Sequence, residues 1–394
     1  MTPLAVTRFT AVSALGHGLA PTLAALQAER TGLQPSTLSW FDRATFIGEV
    51  AGLDEVTLPP GLDDYDCRNH RLAELALRCD GIREAVAAAA RRYGRHRIAV
   101  ILGTTTSGIR ESEIAFANLG ASGALPPDFR YAQTHDLASL SEYVRRTLDL
   151  SGASLVVSTA CSSSAKTFCD AHQLIETGVC DAAVVGGVDS LCLVSLRGFA
   201  SLELLSREPC RPSDAKRSGI SIGEAAGFAL LQRPEANATD LLFKGYGESC
   251  DSYHMSSPHP DGRGAELAMC AALRSSGHSP QEIDYINLHG TGSLINDEME
   301  ALAVTRVFGA SVPCSSTKGW TGHTLGAAGI VEAIISLLAV RHGFLPKTLG
   351  MINKDPRITC NVLSHSQVRP VRAVLSSSFG FGGNNCSLVF GMPA

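Results

Sequence analysis

The sequence predicts an α/β fold built on mixed sheets, and three observations carry that expectation. Short β-branched runs that end in glycine alternate with longer amphipathic stretches along most of the 394 residues. Those runs are apolar on both faces, as in sheets covered by helices. The C-terminal stretch "AVLSSSFGFGGNNCSLVF" (373–390) reads instead as two strands around a glycine-rich turn, which adds an antiparallel element.

In chain order, "MTPLAVTRFTAVSALGHG" is the first strand and turn; Arg8 interrupts its apolar stretch and no basic segment precedes it, unlike a signal peptide. The segment 71–92 is expected as one helix, followed by the buried strand "RIAVILG" (97–103). "LVVST" (155–159), a helix over 165–177 and the strand "DAAVVGGV" (181–188) come next. The polar "QRPEANATD" (232–240) is the candidate linker, dividing the chain into 1–238 and 239–394. Beyond it a helix over 264–276, the strand "DYINLHG" (284–290) and helices over 297–307 and 325–342 precede the closing hairpin. No residue-level repeat relates the two parts.

Composition narrows the function classes. Hydrophobic residues make up 45%, charged residues 18%, and the net charge is −5. A chain with no basic stripe is a poor partner for nucleic acid. No uninterrupted apolar run reaches the about 18 residues of a spanning helix. The twelve cysteines are scattered, without metal-ligand spacing, so no metal or cofactor is expected. Most read as reduced, buried thiols of a cytoplasmic protein.

Four stretches carry chemistry. In "STACSSSAKTF" (158–168), Cys161 stands where a strand turns into a helix. A helix N-terminus favours a thiolate and supplies backbone N–H groups to an oxyanion. A buried core thiol with serine caps explains the stretch equally well. In "NLHGTGSLINDEMEA" (287–301), His289 follows a strand where the chain leaves through glycines, and Asp297, Glu298 and Glu300 open a helix whose dipole they complement. In "SSTKGWTGHTLGAAGIVEA" (315–333), His323 precedes a run of small residues that lets a helix approach another backbone, and Lys318 is one of six lysines. In "SSSFGFGGNN" (376–385), Phe379 and Phe381 flank a glycine hinge able to gate a pocket, or form an ordinary hairpin.

These stretches, in this order, resemble the β-ketoacyl-acyl-carrier-protein synthases of the thiolase-fold condensing enzymes, in the Cys–His–His elongating branch. "DSYHMSSPHPDGRGA" (251–265) and "RPSDAKRSGISIGEAAG" (211–227) are similar to the family as well. The resemblance implies a thiolase-like five-layered αβαβα fold of two duplicated halves. The first, 1–238, would carry the nucleophilic cysteine, and the second, 239–394, both histidines and the phenylalanine gate. It implies a homodimer, with a heterodimer as the variant, and acyl- and malonyl-loaded carrier proteins as partners. Cys161 would take the acyl group, while His289 and His323 hold the malonyl thioester carbonyl and Lys318 sets the electrostatics around His323. The backbone N–H groups of Cys161 and Phe381 would form the oxyanion hole. Ile220 and Thr291 would line the substrate pocket, and Glu300 and Glu332 would be structural carboxylates, also candidates for holding a monovalent ion. Arg68 and Arg71 are candidates for docking the acidic carrier.

The chain departs from the family's usual "RDGF" at Ser218 and Ile220, and from "GFGGTN" at Asn384. Ile220 would face the ring of Phe381, which puts acyl-chain selection in question. "RYGRHRIAVILGTTTSGIRESE" (92–113), "STACSSSAK" and "PCSSTKGWTGHTLGAAGI" are similar to stand-alone synthases of bacterial aryl-polyene clusters, which would extend aryl or polyenoyl chains. A thiolase would need a second cysteine in a C-terminal Cys-x-Gly, where this chain has "FGFGGNN". The second histidine argues against an initiating synthase. A non-catalytic chain-length-factor subunit would lack the cysteine.

Overall fold

The computed structural model describes residues 1–120, 123–235 and 241–393. The expected 238/239 boundary therefore lies outside the described residues. Among the described residues, five principal strands precede it: β1 Leu4–Ser13, β2 Ile98–Gly103, β3 Ser154–Val157, β4 Ala182–Asp189 and β5 Ala225–Gln232. Five more principal strands follow: β6 Leu241–Cys250, β7 Tyr285–Asn287, β8 Pro313–Ser315, β9 Ala373–Gly380 and β10 Asn384–Gly391.

The first five lie in the spatial order β1-β5-β4-β2-β3, and the second five in the order β6-β10-β9-β7-β8. Each β strand of the second set thus takes the place of the one five positions earlier. Orientations repeat too: β5 is antiparallel to β1 and β4, and β10 to β6 and β9. The strands β4, β2 and β3 run parallel, as do β9, β7 and β8. This is a duplication of architecture that leaves no repeat at the residue level. The two sets meet where Leu4–Val6 of β1 pairs antiparallel with Leu241–Phe243 of β6.

The principal helices, in chain order, are α1 Arg68–Leu77, α2 Ile82–Tyr93, α3 Ala138–Thr147, α4 Ser163–Glu176, α5 Arg263–Ser276, α6 Leu294–Phe308 and α7 Ala328–His342. The one helix expected over 71–92 is two. The first ends at Leu77, and after Asp80 and Gly81, both left-handed at φ 53° and 72°, the second starts at Ile82. The expected start at 297 moves to Leu294, because Ser293 already leaves extended backbone there.

Helices α4 and α7 form the middle layer, in contact with each other and with both sets of strands. The helices α1–α3 cover the outer face of the first set, and α5, backed by α6, that of the second. Three large apolar clusters, one central and one on each outer face, fill the spaces between these five layers.

The α7 sequence is apolar all round, and Ala328–Val340 are all buried, which is what a helix between two sheets requires. With the preceding turn it forms an 18-residue stretch, Leu325–His342, long and apolar enough by length and composition to cross a membrane; 89% of it is buried inside the fold. The small residues before it do what their size permits. A Cβ on Gly329 would lie 2.6 Å from the backbone nitrogen of Ala165 in α4, so the two core helices touch backbone to backbone.

Candidate active site

Duplication explains the placement of the reactive groups. Helix α4 follows β3 and α7 follows β8, at matching points of the two sets of strands. Cys161 precedes α4 and His323 precedes α7, so the two joints converge where the core helices begin. His289 arrives from the exit of β7, and Phe379–Phe381 from the end of β9 and the start of the turn after it.

The Cys161 turn is tight. Ala160 sits at φ 53°, a left-handed conformation unusual for a residue with a Cβ. Ser162 Oγ donates to the Thr159 carbonyl at 2.8 Å, and Ser163 Oγ donates to the Ala160 carbonyl at 2.5 Å. Ser164 Oγ accepts the Ile330 N–H of α7 at 2.9 Å. All three serines are buried, so they pin the turn and the neighbouring helix.

The sulfur of Cys161 and a nitrogen of each imidazole lie within 4.8 Å of one another, and all three residues are buried. The imidazole rings stand nearly perpendicular, at 84°, with centroids 5.3 Å apart. Phe379 packs edge-on against His289 at 5.7 Å. Sulfur and imidazole nitrogens at this spacing are also a donor set for a soft metal.

Proton positions on the two rings follow from their partners. His323 Nδ1 accepts the Leu325 N–H at 3.2 Å. His289 Nδ1 lies 3.3 Å from Lys318 Nζ, which can only donate. Both Nδ1 atoms are therefore acceptors, and both neutral rings carry their proton on Nε2. Burial pushes both imidazoles well below their usual range, and the Lys318 cation adds to the effect, so neither charges at neutral pH.

Lys318 is no surface charge. It is 1% exposed, donates to the His289 carbonyl at 2.5 Å and pairs with Glu332. Its ammonium hydrogen-bonds His289 and Glu332 directly, and its field reaches His323. Burial pushes the Glu332 carboxyl up to about 7, against the pull of Lys318.

Glu300 accepts the backbone N–H groups of His289 and Gly290, both at 2.7 Å, and burial pushes it up to about 8. Asp297 takes the N–H groups of Thr291 at 2.9 Å, Gly292 at 3.1 Å and Ser213 at 2.8 Å. Its position near the start of α6 suggested capping; it ties the His289 loop to the segment at Ser213 instead.

Cys161 corrects another expectation. Its thiol is pushed up to about 12, chiefly by burial, with Lys318 and a hydrogen bond from the Phe381 backbone only partly offsetting this. Burial thus favours the thiol over the thiolate at Cys161.

A cavity of about 380 Å³ opens onto these groups. Cys161, His289, His323, Phe379, Phe381, Ile220, Thr291 and Ser218 all line it, whereas Ser162–Ser164 do not. The serines thus do not supply room for a bound acyl group. Phe381 is half-buried, and its ring partner is Phe199, at 5.6 Å, a pocket residue that sequence patterning did not single out. Ile220 belongs to the apolar cluster beneath this wall.

Arg68 and Arg71 do not form a free positive rim. Arg68 donates to buried Glu224 at 2.6 Å and pairs with Glu49 and Asp54, and Arg71 chelates Asp66. Both line a separate cleft shared with Glu49, Asp54, Asp66 and Glu111, where acidic groups offset their charge.

Comparison with known proteins bears on this geometry. Residues 70–237 match the N-terminal domain of beta-ketoacyl synthases, and residues 242–351 match their C-terminal domain. The 3-oxoacyl-(acyl-carrier-protein) synthase 2 of Vibrio cholerae is 30% identical over 98% of this chain and 98% of its own length. The mitochondrial 3-oxoacyl-(acyl-carrier-protein) synthase of Arabidopsis thaliana is 42% identical over a stretch covering 59% of this chain and 55% of that relative. The match thus spans little more than half of that relative. A solved structure described as a ketosynthase in complex with its chain length factor, from Xenorhabdus doucetiae, superposes with a TM-score of 0.91. It shares 38% identity over 100% of this chain and 98% of its own.

Proposed function

The chain belongs to the beta-ketoacyl synthase family, and on that premise we propose that it is a β-ketoacyl-acyl-carrier-protein synthase, which condenses a malonyl thioester with an acyl group carried on Cys161. One observation carries the reading: two neutral imidazoles, each with its proton on Nε2, converge on one buried thiol at the floor of a cavity.

In the first stage, Cys161 Sγ bonds to the acyl carbonyl carbon. The bond to the carrier sulfur breaks and the carrier leaves as a thiol, so one S–H is exchanged for another. The backbone N–H groups of Cys161 and Phe381 are the donors for the oxyanion. A buried sulfur that resists ionisation releases its proton only as the exchange proceeds, which suits a site meant to react with a docked thioester.

In the second stage, the malonyl carbon–carboxylate bond breaks and carbon dioxide departs. Its electron pair becomes the enolate of the thioester. Nε2–H of His289 and of His323 both donate to that enolate oxygen, where charge develops. Neutral imidazoles suit the task, because an imidazolium would hand the carbanion an acidic proton. The enolate carbon then attacks the acyl carbonyl, the bond to Cys161 breaks, and the sulfur leaves as a thiolate that takes a proton from solvent.

Acyl groups fitting the site are uncharged, since the cavity wall is mainly apolar, with Phe199, Leu202, Leu204, Ile220 and Phe381 among its lining residues. We assign aryl or polyenoyl chains, supported by the segments around residues 92–113, 158–166 and 313–330 that resemble aryl-polyene synthases. A cytoplasmic setting is supported by twelve cysteines with no disulfide among the described residues.

The partners are acyl- and malonyl-loaded carrier proteins and a second subunit, either another copy or a chain-length-factor subunit. A free sheet edge at β3, with Leu155 44% exposed, supports a subunit contact. A purely non-catalytic role is the weaker reading, because Cys161, His289, Lys318 and His323 are all present and assembled.

Reconstitution tests the proposal. Acyl- and malonyl-loaded carrier proteins incubated with the chain should give β-ketoacyl carrier protein and one carbon dioxide per product. Cys161→Ala should give no condensation product. A product yield unchanged by Cys161→Ala would defeat the assignment.

A further inference from the structure

Resting on the condensing-enzyme reading, we infer that Asp189 is a positioning residue for His323, acting through Gly326 and Leu325 to fix which imidazole nitrogen carries the proton. Nothing in the sequence motifs marks Asp189; it closes β4 in "GGVDSL" and is buried.

Its carboxylate collects six hydrogen bonds. Oδ1 accepts from Thr104 Oγ1 at 2.7 Å, Thr105 N–H at 2.8 Å, and Thr106 N–H and Oγ1, both at 2.9 Å. Oδ2 accepts from Thr105 Oγ1 and from the Gly326 N–H, both at 2.5 Å. Five of these donors belong to the segment after β2. The sixth belongs to the turn that leads from His323 into α7, so the carboxylate spans the two sets of strands.

That sixth bond acts on the histidine through a constrained linkage. Leu325 lies between His323 and Gly326 at φ 54°, a left-handed conformation that a leucine does not adopt unaided. Gly326 N–H on Asp189 holds the peptide that follows Leu325. The peptide that precedes it then aims the Leu325 N–H at His323 Nδ1, at 3.2 Å. The contact leaves no room for a side chain: a Cβ on Gly326 would lie 2.8 Å from Asp189 Oδ2. The imidazole backbone is fixed separately, its N–H on the Ser221 carbonyl at 2.7 Å and its carbonyl on the Gly223 N–H at 3.0 Å. Loss of the Asp189 contact therefore frees the Nδ1 partner without displacing the residue.

A released ring populates the tautomer with its proton on Nδ1, which offers a lone pair rather than N–H to the enolate. The acylation stage uses the backbone donors at Cys161 and Phe381 and does not need His323 Nε2–H. Asp189 thus serves the second stage selectively.

Asp189→Asn is the direct test, because the amide oxygen keeps the four acceptor contacts of Oδ1 while its NH2 faces the Gly326 N–H. Three quantities are measured on the full chain. They are thioester formation on Cys161 from acyl carrier protein by intact mass, carbon dioxide release from malonyl carrier protein with acylated chain, and nitrogen-15 histidine spectra. The expected result is thioester formation within about threefold of the parent, carbon dioxide release down by about tenfold or more, one charge-assisted hydrogen bond's worth, and His323 nitrogen shifts moving toward the Nδ1–H form. Should Asp189→Asn not fold, Thr105→Val removes one donor from Oδ2 and should show the same split at smaller amplitude. A variant that loses neither stage, or both equally, or keeps the parent's histidine spectrum, overturns the role of Asp189. A parent chain inert in both stages overturns the condensing reading itself.

Discussion

Replacing Lys318 by methionine removes a buried cation while nearly preserving its volume. Two consequences follow from its contacts. Glu332 loses the partner of Oε1, and its Oε2 has no hydrogen-bond partner among the described residues. Breaking one side of a buried pair costs about 3–5 kcal/mol, moderated here because a carboxyl already at about 7 can take up a proton. His289 loses the donor that reserves Nδ1 as an acceptor, and it loses the cation that helps keep it neutral. A charge-assisted hydrogen bond is worth about 1.5–3 kcal/mol, so carbon dioxide release should fall roughly 10- to 150-fold.

Urea denaturation gives the stability, and carbon dioxide release from malonyl carrier protein gives the second stage. Lys318→Met combined with Glu332→Leu should recover most of the stability, because an unpaired acid is no longer buried. It should not recover the chemistry, because His289 Nδ1 still lacks its donor. Wild-type release rates in the single variant, or restored rates in the double, would refute the argument that Lys318 acts on His289.

Gly329→Val should destabilise the fold by about 1–3 kcal/mol in urea titration, since any Cβ there meets the α4 backbone at 2.6 Å; an unchanged midpoint would contradict the close helix contact. Ile220→Phe should shift the preferred acyl length downward in a carrier-protein panel, because a larger ring intrudes on the cavity wall. Alkylation of Cys161 by iodoacetamide should rise with pH through 9 without a plateau, as a thiol pushed up to about 12 requires; a plateau below pH 8 would show an activated resting thiolate. Both site imidazoles are held below the ordinary value of about 6.5, so the unfolded chain binds protons that the folded chain refuses. Their contribution is intact above that pH and is lost as pH falls below it, and His323→Gln should make the acid-side decline in melting temperature shallower.

Local patterning announced most of the strands and helices, because alternating apolar runs and glycine stops are properties of neighbouring residues. The break after Leu77 shows the limit: the amphipathic pattern runs through 71–92, and left-handed backbone at Asp80 and Gly81 divides it. Repetition of the strand order was illegible, since equivalent strands share burial and direction but not side chains. The reactive residues were readable as motifs, yet their electrical state was not. Cys161 sits beside a helix start, which suggests a thiolate, and burial pushes its thiol the other way. Asp189 and Asp297 gave no signal beyond an acid at the end of a strand or the start of a helix. Their donors lie elsewhere in the sequence, between residues 104 and 326 for Asp189 and as far away as Ser213 for Asp297. Arg68 looked like a surface cation for the same reason, its partner Glu224 being 156 residues away.

The central claim is that Cys161 is the acyl acceptor of a condensing site. Peptide-resolved mass spectrometry after incubation with an acyl carrier protein measures that directly. The account predicts one acyl adduct, on Cys161 alone, discharged on addition of malonyl carrier protein and absent in Cys161→Ala. A folded chain that shows no adduct, or carries it on another of the twelve cysteines, would contradict it.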